Sequence, residues 1–223
     1  PKTAQPSIGR FVEVYDELGK NGDSVISIQM MRSISGTVDA ARQAADITET
    51  NVTVVDSDFT SRSMGMIVKE AAKAAQDGKT IEEILEIIED AKKRTTLYLT
   101  VVNLDNLIKG GRISQLMGMF SNLLNIKLFL QVINGKIEII QKGRGLKSLQ
   151  KKYDEIFEQM KSAPKGIQEI GIMHAGLSDF NEGNIARVRE LFPDVPLTIV
   201  TTSPIIMSHT GVDAMAITYL ENK

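Results

Sequence analysis

The sequence predicts an α/β protein with two lobes, and three observations support this fold class. Short apolar, β-branched segments alternate with segments whose apolar residues recur at helical spacing, which is typical of a mainly parallel sheet flanked by helices. A charged stretch at residues 92–94 precedes a new apolar strand, so a boundary is expected between residues 1–94 and 95–223. Asn134-Gly135 between two apolar segments predicts an antiparallel hairpin, and therefore a mixed sheet with helices in the second lobe.

The first lobe is expected to begin with a helix over residues 8–18, because its apolar residues fall three or four positions apart. Ser7 is placed to cap the start of that helix. The remaining elements predicted in this lobe are a strand at 25–28, a helix through Ala45, a strand at 51–55, and helices at 64–75 and 81–91.

The second lobe is expected to contain more strands than helices. Its predicted strands lie at 97–102, 126–133, 136–141, 167–173, 197–200 and near 214–219. Its predicted helices lie at 146–160 and near 185–191.

Composition excludes several classes of function. Lys and Arg number 26 against 28 Asp and Glu, a net charge of −2, so the chain lacks the basic field with which nucleic-acid-binding proteins neutralise phosphates. The absence of cysteine excludes disulfides and thiolate chemistry and favours a reducing, cytoplasmic environment. The apolar runs are far shorter than the roughly 20 residues that span a bilayer, so an integral membrane protein is not expected.

Signatures of catalysis are missing from the sequence. No Walker loop, G-x-G-x-x-G, H-E-x-x-H or G-x-S-x-G motif is present. Two histidines and no cysteine make a poor set of metal ligands. The chain is therefore expected to be no enzyme and to use neither a metal nor a cofactor.

A candidate anion site lies at Ser35-Gly36-Thr37, where a buried strand gives way to a helix. Free backbone N–H groups and the helix dipole favour a carboxylate at such a terminus, and the hydroxyls of Ser35 and Thr37 would add donors. The alternative is that Ser35 only caps the helix.

The two histidines permit different interpretations. His209 follows an apolar strand and could donate a hydrogen bond or a positive charge to a bound acid, although a lone histidine is more often structural. His174 ends a predicted strand, where the structural interpretation is favoured.

Residues 109–114 and the segment after them also permit two interpretations. The double glycine with its flanking cations could bind a phosphate or form an exposed connector. Met117, Met119 and Phe120 could line an adaptable apolar tunnel or fill the core.

Several stretches, taken in order along essentially the whole chain, resemble the bacterial DegV family of fatty-acid-binding proteins. One is Ser35-Gly36-Thr37, and the departures from the family pattern include Met31 and Arg32, where the family often has serines. The other matching stretches are residues 3–7 (TAQPS), 54–57 (VVDS), 103–107 (NLDNL), 109–114 (KGGRIS) and 124–127 (LNIK).

The resemblance implies a long-chain fatty acid held in an apolar tunnel between two lobes. Its carboxylate would lie near Thr3, Ser35, Gly36 and His209, and Arg112 is a possible contact for a partner or a phosphate. Because the chain opens at Pro1 without a methionine, a preceding segment that the family normally has is expected to be missing.

The resemblance also implies partners. A separate fatty-acid kinase would phosphorylate the presented carboxylate, and the acyl phosphate would enter phospholipid synthesis. This chain would then be the carrier subunit, with transient membrane contact possible. The alternative is a regulatory or interaction module without a stable lipid ligand.

Overall fold

A computed structural model of the chain describes residues 2–111 and 125–223. The chain forms two compact units. Of the described residues, 3–93 and 134–136 form the N-terminal unit, and 2, 94–111, 125–133 and 137–223 form the C-terminal unit.

The N-terminal unit contains a small parallel sheet and the helices around it. Val25 pairs with Val52 and Gln29 with Asp56, so its two strands run in parallel and in register. Its elements are α1 (Ile8–Gly19), β1 (Val25–Gln29), α2 (Thr37–Ala45), β2 (Val52–Asp56), α3 (Ser61–Gln76) and α4 (Ile81–Arg94). The expected order of helices and strands in this lobe is confirmed.

Local signals explain where α1 begins and which face it buries. The Ser7 side chain accepts a hydrogen bond from the backbone N–H of Arg10, which confirms the predicted cap. Tyr15 is the buried residue of α1, and its hydroxyl lies 2.7 Å from Ser27 Oγ on β1. Burial raises the pKa of Tyr15, although the Ser27 hydrogen bond opposes that rise.

The C-terminal unit is built on a six-stranded mixed sheet. Its described elements are β3 (Thr95–Val101), α5 (Asp105–Gly110), β4 (Ile126–Ile133), β5 (Lys136–Arg144), α6 (Leu146–Lys161), β6 (Ile167–His174), α7 (Asp179–Leu191), β7 (Leu197–Thr201), α8 (Pro204–Thr210) and β8 (Met215–Glu221). The strand order is β5-β4-β3-β8-β6-β7, with β6 and β7 parallel and β8 antiparallel to both of its neighbours. The predicted mixed sheet is confirmed.

The turn of the β4–β5 hairpin has the backbone conformation that its sequence predicts. Asn134 and Gly135 have φ values of 49° and 69°, and two consecutive positive values match the tight turn that joins twisted antiparallel strands. Glycine adopts such values without steric cost, and asparagine tolerates them better than most residues.

The main core of the C-terminal unit lies between the sheet and helices α6 and α7. Tyr153 on α6 is 1% exposed and packs edge-on against Phe129 of β4, with ring centroids 4.9 Å apart. Thr100 Oγ1 donates to the Met215 carbonyl at 3.0 Å, so the Tyr153 hydroxyl donates to Thr100 Oγ1. Burial raises the pKa of Tyr153 well above its ordinary value, which keeps this network neutral.

Three helical details differ from the sequence-based expectation. Helices α5 and α8 were not predicted, because six or seven residues are too few to show a helical period. Helix α7 begins at Asp179 instead of near Ile185. Its first turns bury the polar residues Asn181 and Asn184, so the apolar period is absent there.

Candidate functional site

The turn before α2 has unsatisfied backbone donors. Gly36 is the N-cap residue and forms no side-chain cap, while Ser35 Oγ accepts from the Thr37 N–H at 3.3 Å. Within the described residues, the backbone N–H groups of Gly36 and Val38 have no acceptor. The N-terminus of α2 can therefore bind an anion through these groups and the helix dipole. Ser35 is not the N-cap residue itself, but its side chain does satisfy one N–H of the first turn.

The hydroxyls of Ser35 and Thr37 at this turn are hydrogen-bonded to each other. Ser35 Oγ and Thr37 Oγ1 lie 2.7 Å apart, and Thr37 is buried while Ser35 is half-buried. Neither hydroxyl forms a hydrogen bond with a histidine or a carboxylate in the part of the chain that the structure describes. The pair can donate to a ligand, and among the described residues no base is hydrogen-bonded to Ser35 to turn it into a nucleophile.

The charges near the start of α2 do not repel an anion. Asp39 in the first turn forms ion pairs with Arg32 at 2.9 Å and with Arg42 at 3.5 Å. The Asp56 carboxylate also lies close, 3.1 Å from the Arg32 backbone N–H, so two guanidinium groups face two carboxylates and the local charge is about zero if all four are ionised. The side-chain charges around the turn therefore roughly cancel, and the attraction for an anion comes from the backbone N–H groups and the helix dipole.

The segment containing Thr3 lies against the same turn. The side-chain amide of Gln5 sits beside the Cα of Gly36, where a Cβ would come within 3.3 Å of the Gln5 carbonyl carbon Cδ. Glycine at position 36 thus leaves room for the end of the Gln5 side chain beside the turn. Thr3 itself is half-buried, and it shares the N-terminal unit with Ser35 and Gly36.

A second loop supports the turn from the end of β2. Asp56 accepts hydrogen bonds from the backbone N–H of Arg32 at 3.1 Å and of Asp58 at 3.0 Å. The Ser57 N–H donates to the Gln29 carbonyl at 2.9 Å. Asp56 and Ser57 therefore hold in place the residues that lead into the Ser35 turn. Their position at the end of a strand did not predict this role.

The departures at Met31 and Arg32 have structural roles. Met31 is 1% exposed, and its N–H donates to the Phe59 carbonyl at 2.8 Å, so this side chain belongs to the core. The Arg32 side chain is exposed and is bound to Asp39.

His209 lies in the C-terminal unit, in the last turn of α8, which the sequence did not predict as a helix. Helix α5 packs against α8, and Asn106 Nδ2 donates to the Ser208 carbonyl at 3.2 Å. A Cβ on Gly110 would come within 3.3 Å of the His209 ring carbon Cε1, so glycine is needed for this packing. Asn106 and Gly110 thus position the histidine, although neither was predicted to do so.

His174 lies at the end of β6 and is 8% exposed. Its Nδ1 atom is buried and has no hydrogen-bond partner among residues 2–111 and 125–223. The structural interpretation of His174 remains a prediction.

Some predicted features lie outside the described residues. They are Arg112, Met117, Met119 and Phe120. Within the described ranges, no group of three or more histidines and carboxylates could hold a metal ion. No helix of the described chain is both long and apolar enough to cross a membrane.

Comparison with known proteins identifies the family. A family model described as "Uncharacterised protein, DegV family" matches residues 1–222. A DegV domain-containing protein of Streptococcus pneumoniae is 41% identical over 217 residues, which are 97% of this chain and 77% of that protein.

Solved structures agree with that match. DegV of Bacillus subtilis, described as a fatty acid binding protein, superposes with a TM-score of 0.87 at 28% identity, covering 100% of this chain and 79% of that one. A fatty-acid-binding DegV family protein of Thermus thermophilus gives a TM-score of 0.84 at 29% identity, with the same two coverages. This chain belongs to the DegV family.

Proposed function

We propose that this protein binds one long-chain fatty acid and holds its carboxylate at the N-terminus of α2. The observation that carries the proposal is the Ser35-Gly36-Thr37 turn, whose N–H groups at Gly36 and Val38 have no acceptor in the described structure. DegV relatives of similar fold are described as fatty acid binding proteins, which supports this choice of anion.

The head group and the tail of a fatty acid would contribute to binding in different ways. A buried carboxylate needs several donors to offset its loss of hydration, and the free N–H groups with the Ser35 hydroxyl can supply them. Each buried CH₂ of the tail contributes about 0.8 kcal/mol, so the tail would supply most of the affinity. The carboxylate would mainly fix which end of the ligand lies at Ser35.

Thr3 and His209 are further proposed ligand contacts. The Thr3 segment lies beside Gly36 through Gln5, which supports a place for Thr3 near the carboxylate. His209 belongs to the other unit, so its contribution needs a separate test with His209→Gln.

The protein is proposed to act as a carrier and not as an enzyme. The Ser35 hydroxyl has no neighbouring base in the described structure, and activating the carboxylate would need a separate kinase that forms an acyl phosphate for phospholipid synthesis. Arg112 is the proposed contact for that partner or its phosphate. The absence of cysteine is consistent with a cytoplasmic carrier.

The competing function is an interaction module that needs no lipid. Such a module would bind its partner equally well after the lipid has been removed. A carrier would bind its kinase and support acyl-phosphate formation only when loaded.

The head-group specificity tests the proposal directly. Delipidated protein should bind palmitate at least about tenfold more tightly than hexadecanol in a calorimetric titration, because a carboxylate forms charge-assisted hydrogen bonds that an alcohol cannot form. The two ligands share the same alkyl chain length, so burial of the tail is matched. Equal affinity would show that the N-terminus of α2 does not bind the head group.

A further inference from the structure

The six-stranded sheet of the C-terminal unit has two edges that differ in charge. One edge is β5, which carries charged residues along its length: Lys136, Glu138, Lys142 and Arg144. The other is β7, whose sequence Leu-Thr-Ile-Val-Thr has no charge. Charged side chains along an edge strand discourage pairing with another chain, so β5 is protected in this way and β7 is not.

Among the residues that the structure describes, some backbone hydrogen-bonding groups of β7 have no partner at this edge. The Ile170 N–H donates to the Pro196 carbonyl, and the Thr202 N–H donates to the His174 carbonyl, each at 2.9 Å. In a parallel pair of strands, the backbone N–H and C=O groups of every second residue point towards the partner strand, and here those residues point towards β6. The N–H and C=O groups of Leu197, Ile199 and Thr201 therefore point away from the sheet.

A cavity of about 460 Å³ lies beside the same edge. Pockets for small ligands have volumes of about 300–1,000 Å³, so a cavity of this size has room for an apolar side chain. The described residues that line it are five apolar residues and an arginine: Phe192, Pro193, Val195, Leu197, Ile199 and Arg189.

Arg189 gives the cavity a preference for negative charge. Its side chain is exposed and has no hydrogen-bond or ion-pair partner in the described part of the chain. The acidic residues Glu190 and Asp194 lie close in sequence but do not pair with it there. By contrast, the neighbouring Arg187 is bound to Asp154.

These features point to one kind of occupant. We propose that β7 is a docking edge for an extended segment of a partner protein, which adds a strand to the sheet and carries an acidic side chain two positions from an apolar one. Side chains on one face of an added strand are two residues apart. The apolar side chain would enter the cavity, and the acidic one would reach Arg189.

A second copy of this chain fits the edge less well. If two β7 strands paired antiparallel about Ile199, Thr201 would come opposite Leu197, and Ser203 opposite Val195. Neither residue carries a carboxylate for Arg189. An acidic segment of a different protein can pair with the β7 backbone and also place a carboxylate near Arg189.

The test uses a fluorescein-labelled nine-residue peptide and the full chain. Threonine stands at the odd positions of the peptide, and the even positions are valine apart from one aspartate. Fluorescence anisotropy should show saturable binding, weakened by about fivefold when lysine replaces the aspartate. Methylating alternate peptide nitrogens should abolish binding.

Three protein variants locate the site. Arg189→Gln should remove the preference for aspartate over lysine, whereas Arg144→Gln at the other sheet edge should leave it unchanged. Thr201→Pro should weaken the binding of both peptides by at least about tenfold. It removes the Thr201 backbone N–H that points away from the sheet and leaves every hydrogen bond between β6 and β7 intact. Should that variant unfold, the Arg189→Gln result still decides the matter.

Three results would overturn the proposal. They are no saturable binding up to roughly 1 mM peptide, a charge preference that survives Arg189→Gln, and a concentration-dependent dimer that Thr201→Pro abolishes. The last result would assign the edge to a second copy of this chain.

Discussion

Replacing Ser35 with alanine should weaken fatty-acid binding by about 1–3 kcal/mol, or roughly 5- to 150-fold in Kd. The change removes a hydroxyl that lies 2.7 Å from Thr37 Oγ1 and leaves the bound carboxylate short of a donor. The measurement is the Kd of delipidated wild type and variant for the same fatty acid. An unchanged Kd would remove Ser35 from the site.

A matched control separates this effect from a general change in the loop. Ser33 precedes the same turn by two residues, is exposed, and has no side-chain hydrogen-bond partner in the described chain. Ser33→Ala should leave the affinity within experimental error. The free energy of unfolding of Ser35→Ala should fall by no more than about 2 kcal/mol, because the two half-buried hydrogen bonds lost are those with the Thr37 N–H and the Thr37 hydroxyl.

The second large effect is on stability. Phe157→Ala should lower the free energy of unfolding of the C-terminal unit by about 3–5 kcal/mol. Phe157 is fully buried in the main core, beside Tyr153, and the Arg187 guanidinium lies 4.9 Å from its ring centroid. The alanine leaves a cavity and also removes the cation–π contact.

The control for Phe157 lies on the same helix. Lys151 is exposed, so Lys151→Ala should change the free energy of unfolding by no more than about 0.5 kcal/mol. Denaturant unfolding followed by circular dichroism measures both variants. A loss of less than about 1 kcal/mol for Phe157→Ala would show that the packing of α6 on the sheet contributes little to stability.

Local sequence signals predicted the elements whose causes are themselves local. The Ser7 cap and the Asn134-Gly135 turn depend on residues adjacent in sequence, and both are confirmed. The order of strands in the sheet was not predictable, because β8 is the last strand in sequence yet pairs with β3 and β6. That arrangement depends on contacts between residues far apart in the chain.

The features of the candidate site also divide into those that local sequence predicts and those that depend on contacts between distant segments. The sequence indicates a strand that leads into a helix at the Ser35 turn, and α2 does begin there, at Thr37; that the turn binds an anion remains a prediction. The contact of Gln5 with Gly36 and the hydrogen bond from Asn106 to the Ser208 carbonyl join distant segments, and no local pattern indicates them. The helix that carries His209 was not predicted, because α8 is too short to show a helical period.

The central claim is that the protein carries one fatty acid, and the lipid content of the purified protein tests it most directly. The protein would be purified from bacteria, denatured, extracted with organic solvent and analysed by quantitative mass spectrometry. The account predicts a long-chain fatty acid at close to one molecule per chain. Protein that contains no fatty acid and takes up none from a fatty-acid-supplemented culture would contradict the account.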